Sequence, residues 1–373
     1  MGGQSLYYGM NALSGNVIMA DRKMLKAANG LYLGIPGSGK SFAAKREVIN
    51  VFLTTNDRII IIDPMGEYAP LVRRLGGEVI EISPDSPHHI NPMDISLTAS
   101  DDDNPLALKA DFILSLMELV VGGKDGLQPI ERTVIDRCTR LVYSEVIRNP
   151  MTAPMPILQD LYELLREQPE PEAKRLATAL ELYCEGSLSV FNHRTNVNTD
   201  NRILCIVLNK LGAGLRTIAM HVTNELSLAM VDENHRRGIA TWGYFDEIHV
   251  LLRDELTASY FVSIWKMLRK KGCVPSGLTQ NISDLLASRE IQNIMENSEF
   301  MVLLSQAPGD REILAKQLGI SPHQLSYVTH SNSGEGLLFY GSTTIPFTDR
   351  FPKDTEIYRL LTTRPEDLKD RPS

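Results

Sequence analysis

The sequence predicts an α/β protein: a mostly parallel sheet with helices on both faces, interrupted by an all-α insertion. Three observations carry this expectation. Leu31-Tyr32-Leu33, the glycine-rich turn Gly34 to Ser41 and the helix-forming run Phe42 to Val48 follow one another as strand, turn and helix. On either side, β-branched apolar runs alternate with helical stretches, the pattern of parallel strands joined by crossover helices. From Asp101 to about Leu188 the texture changes to helical apolar spacing with few strand signals.

The elements follow in order. Ser5 to Met10 and Asn16 to Met19 read as two short strands ahead of the glycine turn. Arg58 to Asp63 is a run of four isoleucines between two charges, suited to a strand buried on both faces. Tyr68 to Leu75 reads as a short helix and Glu78 to Ile82 as a strand. In the insertion, helices are expected over 105–121, 129–148, 157–167 and 172–184. Breaks fall at Gly122-Gly123, around Asn149-Pro150, Pro154 and Pro156, and at Pro169 and Pro171. The α/β pattern resumes with strands at 202–208, 239–245, 274–280 and 300–304 and helices at 214–235, 254–271, 308–318 and 322–327. A hairpin is expected around Gly341-Ser342. The expected division is therefore a core of residues 1–98 and 190–373 with an all-α insertion at 99–189.

Composition is that of a globular protein: 43% apolar and 23% charged residues over 373 positions. The net charge of −8 gives no uniformly basic footprint for nucleic acid, so DNA binding is not indicated by charge. An aromatic fraction of 6% offers no stacking platform for single strands. Cys138, Cys184, Cys205 and Cys273 are isolated and expected as reduced core thiols, and no run of about 18 apolar residues suggests a membrane span.

Gly34-Ile35-Pro36-Gly37-Ser38-Gly39-Lys40-Ser41 reads G-x-x-x-x-G-K-S, a phosphate-binding loop in the strand–turn–helix context it needs. Its glycines let backbone N–H groups converge on phosphate oxygens, and the following helix N-terminus adds partial positive charge. Lys40 would bridge the phosphates and the Ser41 hydroxyl would hold Mg²⁺. Gly34, Pro36, Gly37, Ser38, Gly39 and Phe42 complete the expected nucleotide contacts.

Hydrolysis needs a second acidic motif, which Thr241-Trp242-Gly243-Tyr244-Phe245-Asp246-Glu247 supplies at a strand end. Asp246 would act on Mg²⁺ through water, and Glu247 would polarise the attacking water as general base. Gln280, with Asn281 as runner-up, ends the next strand and is placed to sense the γ-phosphate. Asp63 and Glu67, in Asp63-Pro64-Met65-Gly66-Glu67-Tyr68, are further candidates to orient water or Mg²⁺. A cation on the developing charge would come from Arg216 or Arg269, between which the sequence does not choose.

These motifs stand in a recognisable order. The phosphate loop, Asp63-Pro64-x-x-Glu67-Tyr68, Ile90-Asn91-Pro92-Met93-Asp94, the helical stretch, Phe191 to Val197, the Asp-Glu strand and Arg269-Lys270-Lys271-Gly272…Thr279-Gln280-Asn281 follow one another. In this the chain resembles the TraC- and ConE-like conjugative type IV secretion ATPases of the HerA–FtsK group, over nearly its whole length, including Tyr8-Gly9-Met10-Asn11 and Thr362-Thr363-Arg364-Pro365. The resemblance implies a RecA/HerA–FtsK-like P-loop NTPase core that binds ATP and Mg²⁺ and hydrolyses ATP. It also implies a cytoplasmic motor, peripheral to the inner membrane through its secretion partners, with hexamers as a working form. Members carry a further N-terminal domain, so this sequence is expected to be the C-terminal ATPase portion and by itself a monomer. The family's nucleotide contacts map onto Gly37, Gly39, Lys40 and Ser41, its acids onto Asp246 and Glu247, and its sensor onto Gln280. Two alternatives share these motifs: a HerA/FtsK-like DNA translocase, and a nucleotide-bound secretion scaffold with little turnover.

Overall fold

A computed structural model of the chain describes residues 4–95, 104–123, 126–252, 255–280, 292, 294, 295, 298–329 and 331–368. Its centre is an 11-stranded sheet of order β2-β1-β11-β10-β9-β3-β8-β7-β4-β6-β5. The strands are β1 (Leu6–Asn11), β2 (Val17–Ala20), β3 (Gly30–Leu33), β4 (Arg58–Asp63), β5 (Glu78–Glu81), β6 (Ile203–Val207), β7 (Thr241–Phe245), β8 (Cys273–Thr279), β9 (Phe300–Leu303), β10 (Glu335–Tyr340) and β11 (Thr343–Thr348). From β9 to β5 every pairing is parallel. The remaining pairings are antiparallel: β10–β11 is the expected hairpin, and β1 pairs with β11, carrying β2 to the sheet edge.

Alternation along β4 shows why its isoleucines form a strand buried on both sides. Ile59 and Ile61 point into one core with Ala44, Val48, Leu71 and Trp242, the side covered by helices α1 (Lys40–Thr54) and α2 (Ala69–Arg74). Ile60 and Ile62 point into the other, under α8 (Ala213–Arg236) and α9 (Glu255–Lys270). Five helices between β5 and β6 pack on this second face: α3 (Pro105–Met117), α4 (Pro129–Val142), α5 (Ser144–Arg148), α6 (Leu158–Glu167) and α7 (Pro171–Cys184). Their Phe112, Ile135, Leu161 and Leu176 join a single buried cluster with Ile60, Ile62 and Leu204 of the sheet.

Two expected helices are shorter than their apolar spacing suggested. The first passes from α3 into a π-helical turn at Glu118–Gly122. The run over 129–148 breaks at Tyr143, whose buried hydroxyl donates to the Met93 carbonyl at 2.6 Å, and resumes as α5. Short helices at Glu356–Leu361 and Pro365–Leu368 lie in a stretch for which no element was expected. All four cysteines are free and buried, and no described helix is long and apolar enough to cross a membrane.

Candidate nucleotide site

The parallel register brings the ends of β3, β8, β7 and β4 side by side, and the loops that follow them meet at one edge of the sheet. Such a crevice outside the carboxyl ends of parallel strands is where open α/β sheets bind ligands. Here it is a cavity of about 880 Å³.

Its floor is the phosphate loop. Gly37 and Gly39 have φ of 79° and 98°, backbone that a side chain would strain. Gly39 is also the N-cap of α1 and makes no side-chain cap hydrogen bond, so the first-turn N–H groups remain for an anion. Gly34 packs so closely that a Cβ there would lie 2.5 Å from Ser38 Oγ and 3.0 Å from Leu304 Cβ. Pro36, Gly37, Gly39, Lys40, Ser41 and Phe42 line the cavity. Ser38 is buried behind them, and its carbonyl accepts from Gly334 N at 3.0 Å.

Asp246 and Glu247 enter from the end of β7. Lys40 Nζ lies 3.5 Å from Asp246 Oδ1 and 3.3 Å from Glu247 Oε1. Burial raises the Asp246 pKa to about 6 against the opposing pull of Lys40, with Glu247 adding to the rise. Burial acts in the same direction on Glu247, but hydrogen bonds and charge from His249 and Lys40 hold its carboxyl below the usual range. The two neighbouring acids are thus driven apart, the pattern expected where one carboxylate must stay ionised. Gln280, the residue after β8, which lies between the phosphate-loop strand and the acid strand, donates from Nε2 to Glu247 Oε1 at 3.3 Å.

The other expected residues divide, two lining the cavity and two not. Asp63 does not line the cavity: its Oδ1 accepts from Gly66 N and Glu67 N at 2.8 and 3.0 Å, and Oδ2 from Tyr68 N at 2.8 Å. With both oxygens committed to its own turn, Asp63 shapes the loop that presents Glu67. Glu67 does line the cavity, and its Oε2 is buried without a hydrogen-bond partner. A buried carboxylate oxygen left open beside Asp246 and Ser41 fits a cation or its water shell. Arg216 also lines the cavity of its own chain, with Nη2 donating to the Leu211 carbonyl at 2.9 Å. Arg269 does not. It closes α9, which runs back against the strands, and reaches the Lys26 carbonyl ahead of β3, at the opposite end of the strands. Asn281 lies outside the described residues.

Sequence reading missed much of the far wall. Asn332, Ser333 and Gly334, then Asp349 to Phe351, Tyr358 and Thr362 to Arg364 complete the cavity. Phe42 packs against Phe351 and Tyr358, with ring centroids 6.0 and 5.6 Å apart. No local motif marks this segment; only the sequence Thr362-Thr363-Arg364-Pro365 gave a hint of it. His249 was missed as well, although it stands two positions after the Asp-Glu pair.

Residues 30–101 match the family model of the central domain of the helicase HerA. No curated protein sequence matches the chain. Among solved structures, VirB4 of Thermoanaerobacter pseudethanolicus superposes with a TM-score of 0.82 at 23% identity, over 94% of this chain and 98% of that one. The plasmid coupling protein TrwB in complex with ADP and Mg²⁺ gives 0.60 at 13% identity, over 96% and 98%. The unbound bacterial conjugative coupling protein TrwB gives 0.58 at 14%, over 92% and 91%. The resemblance that the motifs point to is thus met by the HerA model over residues 30–101 and, in fold, by VirB4 and TrwB over most of the chain.

Proposed function

We propose that the chain is an ATPase motor of a type IV secretion machine, hydrolysing ATP to drive pilus assembly or the transfer of DNA or protein. The observation that carries this reading is the convergence of Lys40, Asp246, Glu247 and Gln280 on one cavity at the strand ends. In it, the loop backbone and Lys40 hold the phosphates, and Ser41, Asp246 and Glu67 hold Mg²⁺, which supplies charge neutralisation when bound. Glu247 takes the proton of the attacking water, Gln280 reports the γ-phosphate, and Arg216 acts on the nucleotide of its own chain. Phe42, with Phe351 and Tyr358, forms the side available to the nucleoside. Residues 1–98 and 190–373 work as the motor core and 99–189 as a helical insertion. The protein works at the cytoplasmic face of the inner membrane, docked on secretion partners and self-associating as hexamers.

The test is steady-state phosphate release from ATP over a protein concentration series, with and without DNA. Release that rises with concentration and ignores DNA supports the secretion motor. Lys40→Ala should abolish binding or turnover, and Glu247→Gln should retain binding while losing about 10²- to 10⁴-fold in turnover. Equal turnover in Glu247→Gln would remove the base role. The HerA match favours one second reading, a DNA translocase, which strong stimulation by DNA would establish instead.

A further inference from the structure

Glu247 stands in an unusual backbone conformation. Its φ of 53° makes it the only non-glycine residue with positive φ among the described residues. A left-handed conformation at such a residue is strained and persists when its surroundings over-determine it. Here both oxygens of the side chain are held. Oε1 lies 3.3 Å from Lys40 Nζ, Gln280 Nε2 reaches Oε1 at 3.3 Å and Oε2 at 3.4 Å, and Oε2 lies 3.0 Å from His249 Nδ1.

These contacts differ in what turnover does to them. Lys40 belongs to the phosphate loop and must exchange the acids for phosphate oxygens once nucleotide binds. Gln280 follows the strand beside that loop and faces the same change. His249 sits in the 3₁₀ turn Ile248–Leu252, 9% exposed, with the Thr279 hydroxyl 3.3 Å from the same Nδ1. An imidazole nitrogen 3.0 Å from a carboxylate oxygen must carry its proton there, because a bare lone pair would repel the carboxylate.

We propose that His249 is a positioning residue: its Nδ1–H pins Oε2 of Glu247, so that Oε1, released when Lys40 turns to the phosphates, faces the attacking water. This rests on the hydrolase reading above. In the step it serves, Oε1 accepts a proton from water, and the water oxygen bonds to the γ-phosphorus. The bond from that phosphorus to the β–γ bridging oxygen breaks, and its electron pair leaves with ADP. His249 lines the same cavity but gives up no proton in this step; it sets the angle at which Glu247 works.

The experiment compares wild type, Lys40→Ala, Glu247→Gln, His249→Ala and His249→Asn as full chains. It measures kcat and KM for ATP, equilibrium binding of a fluorescent ATP analogue, and thermal midpoints. Loss of aim at the base should lower kcat of His249→Ala by about 10- to 100-fold, with KM and binding within about twofold. His249→Asn, whose amide N–H can donate to the same oxygen, should recover to within about fivefold of wild type. Wild-type kcat in His249→Ala overturns the proposal. So does equal loss in both histidine variants accompanied by weaker binding and a lower midpoint, which marks a role in folding alone. Wild-type turnover that is absent, or that survives both Lys40→Ala and Glu247→Gln, overturns the hydrolase reading itself and the positioning role with it. Turnover lost in Glu247→Gln but intact in His249→Ala removes only the latter.

Discussion

Glu47→Gln should destabilise the protein far more than its conservative chemistry suggests. Glu47 lies on α1, nearly two turns past the phosphate loop, and its side chain is 1% exposed. Arg22, from the turn between β2 and β3, is fully buried against it, and Nη1 donates to both carboxylate oxygens at 3.0 Å. Tyr8 and Tyr244 donate to the same carboxylate, and Arg22 also reaches Ser276 Oγ and the Ala28 carbonyl, each at 2.8 Å. The guanidinium packs 4.3 Å from the Phe300 ring centroid. Removing the negative partner leaves that cation buried and uncompensated, which costs about 3–5 kcal/mol. With an unfolding entropy of about 2.1 cal/mol/K per residue, 373 residues give about 0.8 kcal/mol/K, so the midpoint should fall by about 4–6 °C. Calorimetry or a denaturant titration reads this directly. Adding Arg22→Met should restore part of the loss, since the stranded charge is then gone. A loss below about 1 kcal/mol in Glu47→Gln, or a double variant as unstable as the sum of the singles, would refute the reasoning.

Two further outcomes are expected. His221 is buried, stacked on Phe112 with centroids 5.0 Å apart, and burial lowers its pKa to about 4, with Lys109 adding and Glu225 opposing. The folded state favours neutral imidazole, so the stability it contributes is full above pH 6.5 and is lost as pH falls toward 4. The total is about 3 kcal/mol, visible as a steeper acid loss in urea titrations of wild type than of His221→Phe; equal slopes would exclude it. Arg216 lines the cavity of its own chain, so mixing Arg216→Ala with Glu247→Gln subunits should restore no ATP turnover, because neither chain then holds a complete site. Recovery in the mixture would place the arginine in a neighbour's site.

Much of this protein was legible in its sequence because the features concerned are local. A phosphate loop is a demand on consecutive backbone angles and on one lysine and one hydroxyl, met within Gly34 to Ser41. Isoleucine repeated over Ile59 to Ile62 can only serve a strand with two covered faces. Asp246 and Glu247 declared themselves by ending an apolar strand. These elements and the fold class followed from local pattern, and the resemblance of the whole chain from the identity and order of its motifs.

Tertiary structure decided what spacing does not encode. The order β3-β8-β7-β4 places Gln280 between the phosphate loop and the acids, and that order depends on long-range pairings such as Gly30 with Ser276 and Arg58 with Thr241. Asp63 looked like a nucleotide contact, yet three backbone N–H groups of its own turn claim both oxygens, leaving Glu67 to face the cavity. Arg269 is excluded from the cavity of its own chain because a crossover helix carries its last turn to the amino ends of the parallel strands, opposite the cavity. The buried pairing of Arg22 with Glu47 and the grip of His249 on Glu247 are likewise invisible to spacing. Each joins groups that the fold brings together after burial, where one charge or donor becomes decisive for its neighbour.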